Sequence, residues 1–410
     1  MGFGQSLSGL NAAAKDLDVI GNNIANSGTV GFKSGSATFA DVYSNAQIGM
    51  GVEVASINQN FTAGTVDNTG NQFDMAVDGP NGLFRVVDTS GNIFYTRNGQ
   101  FHRDDSNYIV NAQGQRLTGF DSTGTNLVPI KVPTSNMKPA STSAITFTTN
   151  LDGNADVITA AFDPTDPTTY THQQPMTVYD SLGNTHQLTQ YFAKRAPTGT
   201  PPESNWDVYY RLDGQPMDIP DATTTPETPV KLTFDGNGEL DTTTNPDSTT
   251  IVLNSPGGTG SPASTLSMNV NYAGSTQFGG DFAPNFVQDG YATGEYASMS
   301  VAADGTIIAS YTNGKTQNIG TLVLANFNNL QGLKPVGGNA WAETADSGQP
   351  ILGQPGTNSL ANIKGQSVED SNVDLSQELV NMIIAQRTYQ ANAQSIKTQD
   401  QVVQSLLNMS

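Results

Sequence analysis

From Ser371 to Ser410 the sequence reads SNVDLSQELVNMIIAQRTYQANAQSIKTQDQVVQSLLNMS, and this stretch decides the fold. At alternating steps of three and four residues from position 379, seven of nine positions are apolar or small, and no Gly or Pro follows Val373. This spacing predicts a long helix with the narrow apolar stripe of a coiled coil. The stripe contains Leu379, Met382, Gln386, Tyr389, Ala393, Ile396, Asp400, Val403 and Leu407.

A matching stripe lies at the other end of the chain. The same spacing predicts a helix that ends near Asn26, before Ser27-Gly28. Periodicity alone equally allows two separate helices packed on a globular core. Their positions at the two ends favour a pair, and we expect the two stripes to face each other. The N-terminal stripe contains Phe3, Leu7, Leu10, Ala14, Leu17, Gly21 and Ile24.

Composition limits what lies between the helices. Charged residues make up only 13% of the chain, about half the usual share, whereas Gly, Ser, Thr, Asn and Gln are abundant. This bias, with many short β-branched or aromatic runs separated by turn residues, predicts β-rich domains. Asp88-Thr-Ser-Gly91 and Asp180-Ser-Leu-Gly-Asn184 are two such turns. The Thr and Pro clusters at 196–204 and 220–229 predict exposed loops. The predicted fold class is mainly β, nested and multidomain, with two β-rich domains and a coiled-coil domain of paired terminal helices.

Charge and cysteine content exclude several classes of partner. The net charge of -20 argues against nucleic acid and anionic membranes. No apolar run approaches the roughly 18 residues of a membrane-spanning helix, so we expect no membrane insertion. There is no cysteine, hence no disulfide or thiolate chemistry. The N-terminus has no basic and apolar signal segment, so we expect no cleaved signal peptide.

Two motifs resemble those of a known family. The first is Asn22, Asn23, Ile24, Ala25 and Asn26, followed by Gly31, Phe32 and Lys33. The second is the run 373–384 with 386–392, which includes Gln386-Arg-Thr-Tyr-Gln-Ala-Asn392. Both are similar to the terminal signatures of the bacterial flagellar axial proteins, which build the rod and the hook. The large middle of the chain resembles the hook subunits more than the shorter rod subunits.

This resemblance implies a structural protein and not an enzyme. It implies that the chain polymerises with itself into a curved, extracellular tube that transmits torque from rod to filament. The partners it implies are the flagellar rod, the hook cap, the hook-filament junction proteins and the flagellar export apparatus, with export proceeding without a cleaved signal peptide. The stripe residues are then candidate subunit-interface residues: Phe3, Leu7, Leu10, Leu17, Ile24, Leu379, Met382, Tyr389, Ile396, Val403 and Leu407.

Domain boundaries follow from shifts in the sequence pattern. Pro129, Pro133 and Pro139 mark the end of a first β-rich segment, and the same pattern resumes after Phe286. In the connector, Val52, Val54 and Ile57 indicate one strand. The predicted organisation is a helical domain (1–27 and 371–410), a connector (28–71), a first β-rich domain (72–144 and 286–362), an inserted β-rich domain (145–285) and a linker (363–370).

No motif for catalysis, a cofactor or a metal stands out. His102, His172 and His186 have no second histidine at metal-ligand spacing, and nucleotide-binding loops are absent from the sequence. Asp235-Gly-Asn-Gly-Glu239-Leu-Asp241 starts like a calcium loop but lacks Gly at position six and Glu at position twelve. A hairpin turn is the preferred interpretation, and we expect Trp206 and Trp341 to be core or rim residues and not a sugar platform.

Three other functions remain open from the residues. A distal rod-type axial protein would share both terminal motifs, but the large inserted domain argues against it. An extracellular β-rich adhesin or glycan-binding protein accounts for the Thr, Asn and Gly bias and leaves both motifs unexplained. A hydrolase with paired acids has nothing specific in its favour.

Overall fold

The computed structural model describes residues 3–409 except 43–48, 201, 218–227, 242–247, 254–255 and 259. Helix α1 spans Phe3–Ala25 and helix α2 spans Leu375–Met409. The Asp374 carboxylate accepts hydrogen bonds from the backbone N–H groups of Ser376 and Gln377, at 2.9 and 3.1 Å, and so caps the start of α2. Both predicted helices are present within one or a few residues of their expected ends. Neither described helix has the length and hydrophobicity needed to cross a membrane.

Strands fill most of the chain between the helices. The first ten are β1 (Gly35–Asp41), β2 (Val52–Gln59), β3 (Val66–Asn68), β4 (Met75–Asp78), β5 (Leu83–Val87), β6 (Ile93–Thr96), β7 (His102–Arg103), β8 (Ile109–Val110), β9 (Arg116–Phe120) and β10 (Leu127–Pro129). The middle ones are β11 (Ala144–Asn150), β12 (His172–Tyr179), β13 (Thr185–Thr198), β14 (Glu203–Leu212), β15 (Gln215–Pro216), β16 (Val230–Phe234), β17 (Ser248–Leu253), β18 (Leu266–Asn271) and β19 (Ala283–Gln288). The last are β20 (Tyr296–Val301), β21 (Thr306–Tyr311), β22 (Thr316–Leu322), β23 (Leu324–Asn326), β24 (Lys334–Gly337), β25 (Ala340–Ala342), β26 (Ile351–Gly353), β27 (Asn362–Gly365) and β28 (Ser367–Glu369).

The chain divides into two structural units. Unit 1 contains Met1–Thr134, Tyr296–Ser310 and Thr316–Ser410, and thus both termini. Unit 2 contains Ser135–Glu295 and Tyr311–Lys315. The fold class predicted from the sequence, mainly β with paired terminal helices, is confirmed. The five-part division proposed above is finer than this one and stays a prediction.

In unit 1 the main sheet joins strands from both halves of the chain. Its order is β20-β21-β22-β9-β5-β6-β25-β24, with further strands on its margins. Because β9 pairs with β22, and β6 with β25, residues far apart in sequence share one core. The core side chains include Met75, Phe84, Leu117, Ile307 and Leu322, all fully buried. Trp341 lies in a second cluster with Tyr95 and Phe327, as expected of a core residue.

Unit 2 contains two sheets, in the orders β17-β18-β11-β19 and β12-β13-β14-β15, with β16 paired to β14. Their buried faces meet around Trp206, Phe147 and Phe192. The predicted hairpin at 180–184 is confirmed, because Tyr179 pairs with Thr185. The cluster at 196–204, expected to be a loop, is partly strand. Strand β13 ends only at Thr198, and β14 begins at Glu203. Most of the other predicted loop, 220–229, lies outside the described residues.

One turn chemistry recurs in both units and accounts for several acidic residues. Each turn begins with an Asp whose carboxylate accepts hydrogen bonds from the backbone N–H groups of the second and fourth residues after it. The third residue after the Asp is a Gly with positive φ. Hydrogen bonds from Thr123 and Asn126 lower the pKa of one of them, Asp121. The segment 235–241, which starts like a calcium loop, is another of these turns, as preferred from the sequence. Phe234 pairs with Leu240 across it. The four turns begin at Asp88, Asp121, Asp180 and Asp235.

Candidate assembly surface

The two terminal helices pack antiparallel along a seam of small and polar residues. Ser6 Oγ lies 3.0 Å from Ser395 Oγ, and Asn23 Nδ2 donates to Glu378 Oε1 at 3.2 Å. A Cβ placed on Gly9 would come within 2.9 Å of the Asn392 side chain. As the residue number rises along α1 it falls by the same amount along α2, which fixes one antiparallel register. The α1–α2 seam, as we call it, comprises Ser6, Gly9, Ala13, Asp16, Ile20 and Asn23 on α1 and Glu378, Asn381, Ala385, Thr388, Asn392 and Ser395 on α2.

The seam corrects one expectation from the sequence. The helices pair, but the two apolar stripes do not face each other, because each stripe is displaced by one residue from the seam. Ala13, Ile20 and Ala385 are buried, whereas Leu7 and Leu379 are exposed. Small side chains let two helix backbones approach closely, and hydrogen bonds satisfy the polar ones. The pairing register is therefore set by residues that carry little hydrophobic signal.

The displacement places both stripes on one side of the helix pair. One residue along an α-helix rotates the side chain by about 100°. Since α1 and α2 run in opposite directions, the same one-residue displacement turns both stripes toward the same side. We call this side the apolar face. Its residues are those predicted from the sequence as interface residues: Phe3, Leu7, Leu10, Leu17, Ile24, Leu379, Met382, Tyr389, Ile396, Val403 and Leu407.

Much of the apolar face is open to solvent in the single chain. Phe3 is 57% exposed and Leu407 is 69% exposed. Leu7, Leu379, Tyr389 and Val403 are also exposed, and the remaining five are partly buried. An exposed contiguous stripe of this kind usually marks a site of contact with another molecule.

The N-terminal motif residues connect α1 to the rest of unit 1. Asn23 donates to the Gly35 carbonyl at 2.8 Å and accepts from the Gly35 N–H at 2.9 Å, which ties α1 to β1. The Asn26 side chain donates to the Asn22 carbonyl at 2.9 Å, close to the helix end. Gly31 has φ of 71°, and a Cβ there would lie 2.5 Å from the Asn98 nitrogen. Only glycine fits that position. Ile24 and Phe32 are partly buried, and Ala25 is exposed.

Lys33 completes the motif through a buried ion cluster. Its Nζ lies 2.7 Å from Glu369 Oε1, and Arg97 Nε lies 2.9 Å from Glu369 Oε2. All three side chains are essentially inaccessible to solvent. Burial lowers the pKa of Lys33, and the charge of Glu369 opposes this effect. Backbone carbonyls of Thr62 and Gly82 accept further hydrogen bonds from the two cations.

Sequence reasoning missed two members of this cluster and most of the seam. Arg97 and Glu369 are buried ions whose partner lies hundreds of residues away, so no local spacing marks them. Strand β1 was missed too, although the β2 strand predicted at Val52–Ile57 is present and pairs with it. Among the described residues, no group of three or more His, Asp or Glu side chains is arranged to hold a metal ion.

Four sequence families match successive parts of the chain. Residues 6–33 match "Flagella basal body rod protein", and 76–156 match "Flagellar hook protein FlgE/F/G D1 domain". Residues 150–291 match "Flagellar basal body protein FlaE D2 domain", and 364–409 match "Flagellar basal body rod FlgEFG protein C-terminal".

Whole-chain relatives are similar over the full length. The flagellar hook protein FlgE of Salmonella typhimurium is 42% identical, with all of both chains covered. FlgE of Escherichia coli K12 is 42% identical, also with all of both chains covered. FlgE of Borreliella burgdorferi is 30% identical over 98% of each. The crystal structure of the Helicobacter pylori flagellar hook protein FlgE2 shares the fold, with a TM-score of 0.55 and 14% identity over 74% of this chain and 100% of that one.

Proposed function

The chain belongs to the flagellar hook protein family FlgE and is a structural subunit of the bacterial flagellar hook; on that premise, we propose that the apolar face of the α1–α2 pair joins neighbouring subunits in the polymer. The exposure of this two-helix stripe in the single chain carries the proposal. Helices α1 and α2 contact each other through the seam and not through the apolar face, so this face can contact another copy.

The energetics favour assembly through this face. Burial of a large aliphatic or aromatic side chain contributes about 1.5 to 3 kcal/mol. Several such residues per subunit offset the entropy lost when a subunit joins the polymer. A surface that binds a different surface of the next copy extends without closing and produces a helical array. Bending and torque transmission require the outer contacts to slide, and the sparsely charged β-rich domains suit this role.

We assign the domains as the sequence pattern predicts them. The helical domain is 1–27 with 371–410, joined through connector 28–71 to a first β-rich domain, 72–144 with 286–362. Residues 145–285 form the inserted domain and 363–370 the linker. The division of the chain into units at Thr134 and Tyr296 supports an inserted domain, although it places the boundaries about ten residues outside ours.

We propose as partners the proteins that the family resemblance implies, and the geometry of an open polymer supports them. A tube of heterologous contacts has two different ends, and each needs a different protein to bind it. We assign the flagellar rod to one end, and the hook cap and later the hook-filament junction proteins to the other. A chain without cysteine passes through the flagellar export apparatus with no disulfide to reduce. We propose export without a cleaved signal peptide, and the pairing of residues 3–25, as α1, with α2 supports this.

We assign the chain no enzymatic activity, cofactor or glycan-binding function. Trp206 and Trp341 are buried, which supports their interpretation as core residues and not as a sugar platform. Relatives named as hook proteins match over the full length, which favours the hook over a distal rod subunit.

Negative-stain microscopy of the purified protein tests the proposal with two adjacent substitutions. Tyr389→Asp places a carboxylate on the apolar face, whereas Gln390→Asp places one on the side of α2 that points away from α1. We expect tubes from wild type and Gln390→Asp, and dispersed particles from Tyr389→Asp. Normal tubes from Tyr389→Asp, or none from wild type, would contradict the proposal.

A further inference from the structure

Helix α2 is longer than the helix that it pairs with. In the register set by Ser6 and Ser395, the first described residue of α1, Phe3, lies level with Thr398. Helix α2 continues to Met409, which is about 16 Å further at 1.5 Å per residue. No described residue of α1 lies beside that last part. We call residues 401–409 the α2 overhang.

The chemistry of the seam changes where the overhang begins. The α2 seam positions that face α1 are small or polar, from Glu378 to Ser395. Continued at the same spacing, the next seam position is Gln399, and the first one within the α2 overhang is Val402. Val402 is 55% exposed, and Val403 on the neighbouring stripe is 53% exposed. The α2 overhang thus has an exposed apolar residue, Val402, at the seam position, where the paired part of α2 carries small or polar residues.

A groove with matching chemistry lies on the side of the helix pair opposite the apolar face. Hairpin β1–β2 covers α1 there, since Ser8 Oγ accepts from the Val52 N–H at 3.2 Å and Val19 lies near Gly35. Between the hairpin and α2 lies a cavity of about 520 Å³. Its floor contains small residues and its rim large apolar ones that are partly open to solvent. Among its lining residues are Gly9, Ala12, Ala13, Phe39, Ile384 and Ala385.

We propose that the α2 overhang of one subunit docks in this groove of a second copy of the chain. The inference rests on the proposed function and names a second contact beside the apolar face. Small floor residues allow a helix to approach closely, and Phe39 and Ile384 flank the apolar side chains that it brings. The two surfaces differ and lie on one chain, so the contact is heterologous and extends from copy to copy.

The chain's own overhang cannot fill its own groove. Ile384 and Val402 lie on one continuous helix and are separated by 18 residues, or about 27 Å. A straight helix cannot bring its end back to its own middle. Occupation of the groove by an overhang therefore requires another copy.

Disulfide crosslinking tests this contact, because the chain has no cysteine of its own. The double variant Ile384→Cys/Val402→Cys is assembled under reducing conditions and then oxidised. A disulfide needs Cα atoms within about 7 Å, so one within a single chain is excluded by the helix. We expect a ladder of covalent multimers on a denaturing gel. Gln390→Cys/Val402→Cys is the matched control, and we expect it to remain monomeric. If the first pair prevents assembly, Phe39→Cys replaces Ile384→Cys.

The outcomes separate this inference from the proposed function. If the Ile384→Cys/Val402→Cys variant forms normal tubes but gives no ladder, or only the ladder of the control, the docking of the overhang is wrong. The proposed function is then unaffected. Failure of wild type to form tubes overturns the proposed function instead. Independently, we expect Val402→Asp to raise the critical concentration for assembly about tenfold or more, and Gln401→Asp to change it little. Equal effects of the two would also contradict the inference.

Discussion

The hydroxyl groups of Ser6 and Ser395 lie 3.0 Å apart although 389 positions separate them in the chain. This contact fixes the register of the two terminal helices. It also places a small, polar seam between them, where the sequence pattern alone suggested an apolar one. The apolar side chains are displaced to a common face of the helix pair, where several of them are exposed.

The seam should tolerate no large side chain. Gly9→Leu places a branched chain where a single Cβ already meets Asn392 at 2.9 Å, so the helices must separate. We expect a loss of about 1 to 3 kcal/mol, measured as a lower melting temperature of the helical circular dichroism signal. Gly4→Leu is the control, since a Cβ on Gly4 meets nothing within 4 Å. Equal melting of both variants would show that the register is different.

The free energy of unfolding should depend on the charge balance of the buried ion cluster, Lys33, Arg97 and Glu369. Glu369→Gln leaves Lys33 and Arg97 buried without a counter-ion, and we expect a loss of about 3 to 5 kcal/mol in the free energy of unfolding. Lys33→Met keeps the Glu369–Arg97 pair and leaves the cluster neutral, so its cost should be clearly smaller. Chemical denaturation of the monomer measures both. A larger loss for Lys33→Met would refute the charge argument.

The second unit should lose stability as the pH rises above 6.5 and through the raised pKa of His186. Burial lowers the pKa of His186, but hydrogen bonds with Asp213, at 2.6 Å, and Asp180, at 3.4 Å, outweigh it and raise the pKa above 6.5. A pKa raised by folding means that the stabilisation is fully present below pH 6.5 and disappears above the folded-state pKa. We expect thermal unfolding of His186→Gln to lack this pH dependence. His102→Gln, at an exposed position, should retain it.

The sequence predicted both helices, strand β2 and the hairpin at 180–184 because their signals are local. Stripe spacing identifies a helix from one turn to the next, and the Asp-to-Gly turns specify hairpins within five residues. The contact between Asn23 and Glu378 depends instead on the pairing register, which small polar side chains do not reveal. Nothing in the local sequence distinguishes Glu369 from other acidic residues, since its partners Lys33 and Arg97 lie 336 and 272 positions away.

The inserted domain should be removable. The segments that enter and leave it are adjacent, because the Met137 N–H donates to the Gly294 carbonyl at 2.8 Å. Replacement of 138–293 by a short Gly-Ser link should therefore leave unit 1 soluble and folded, as its own core contains no residue from that range. Size-exclusion chromatography and circular dichroism measure this. Aggregated protein would show that the first β-rich domain depends on the inserted one.

The critical concentration for polymerisation of Ile396→Asp tests the central claim most directly. Ile396 lies on the apolar face. If that face joins subunits, burial of Ile396 contributes about 1.5 to 3 kcal/mol, whereas an unpaired carboxylate there is costly. We predict a critical concentration at least about tenfold above wild type, with the unfolding transition of the β-rich units unchanged. Thr398→Asp, exposed and off that face, should polymerise like wild type. Normal polymerisation of Ile396→Asp, or an equal defect in Thr398→Asp, would contradict the assignment of the apolar face as the subunit interface.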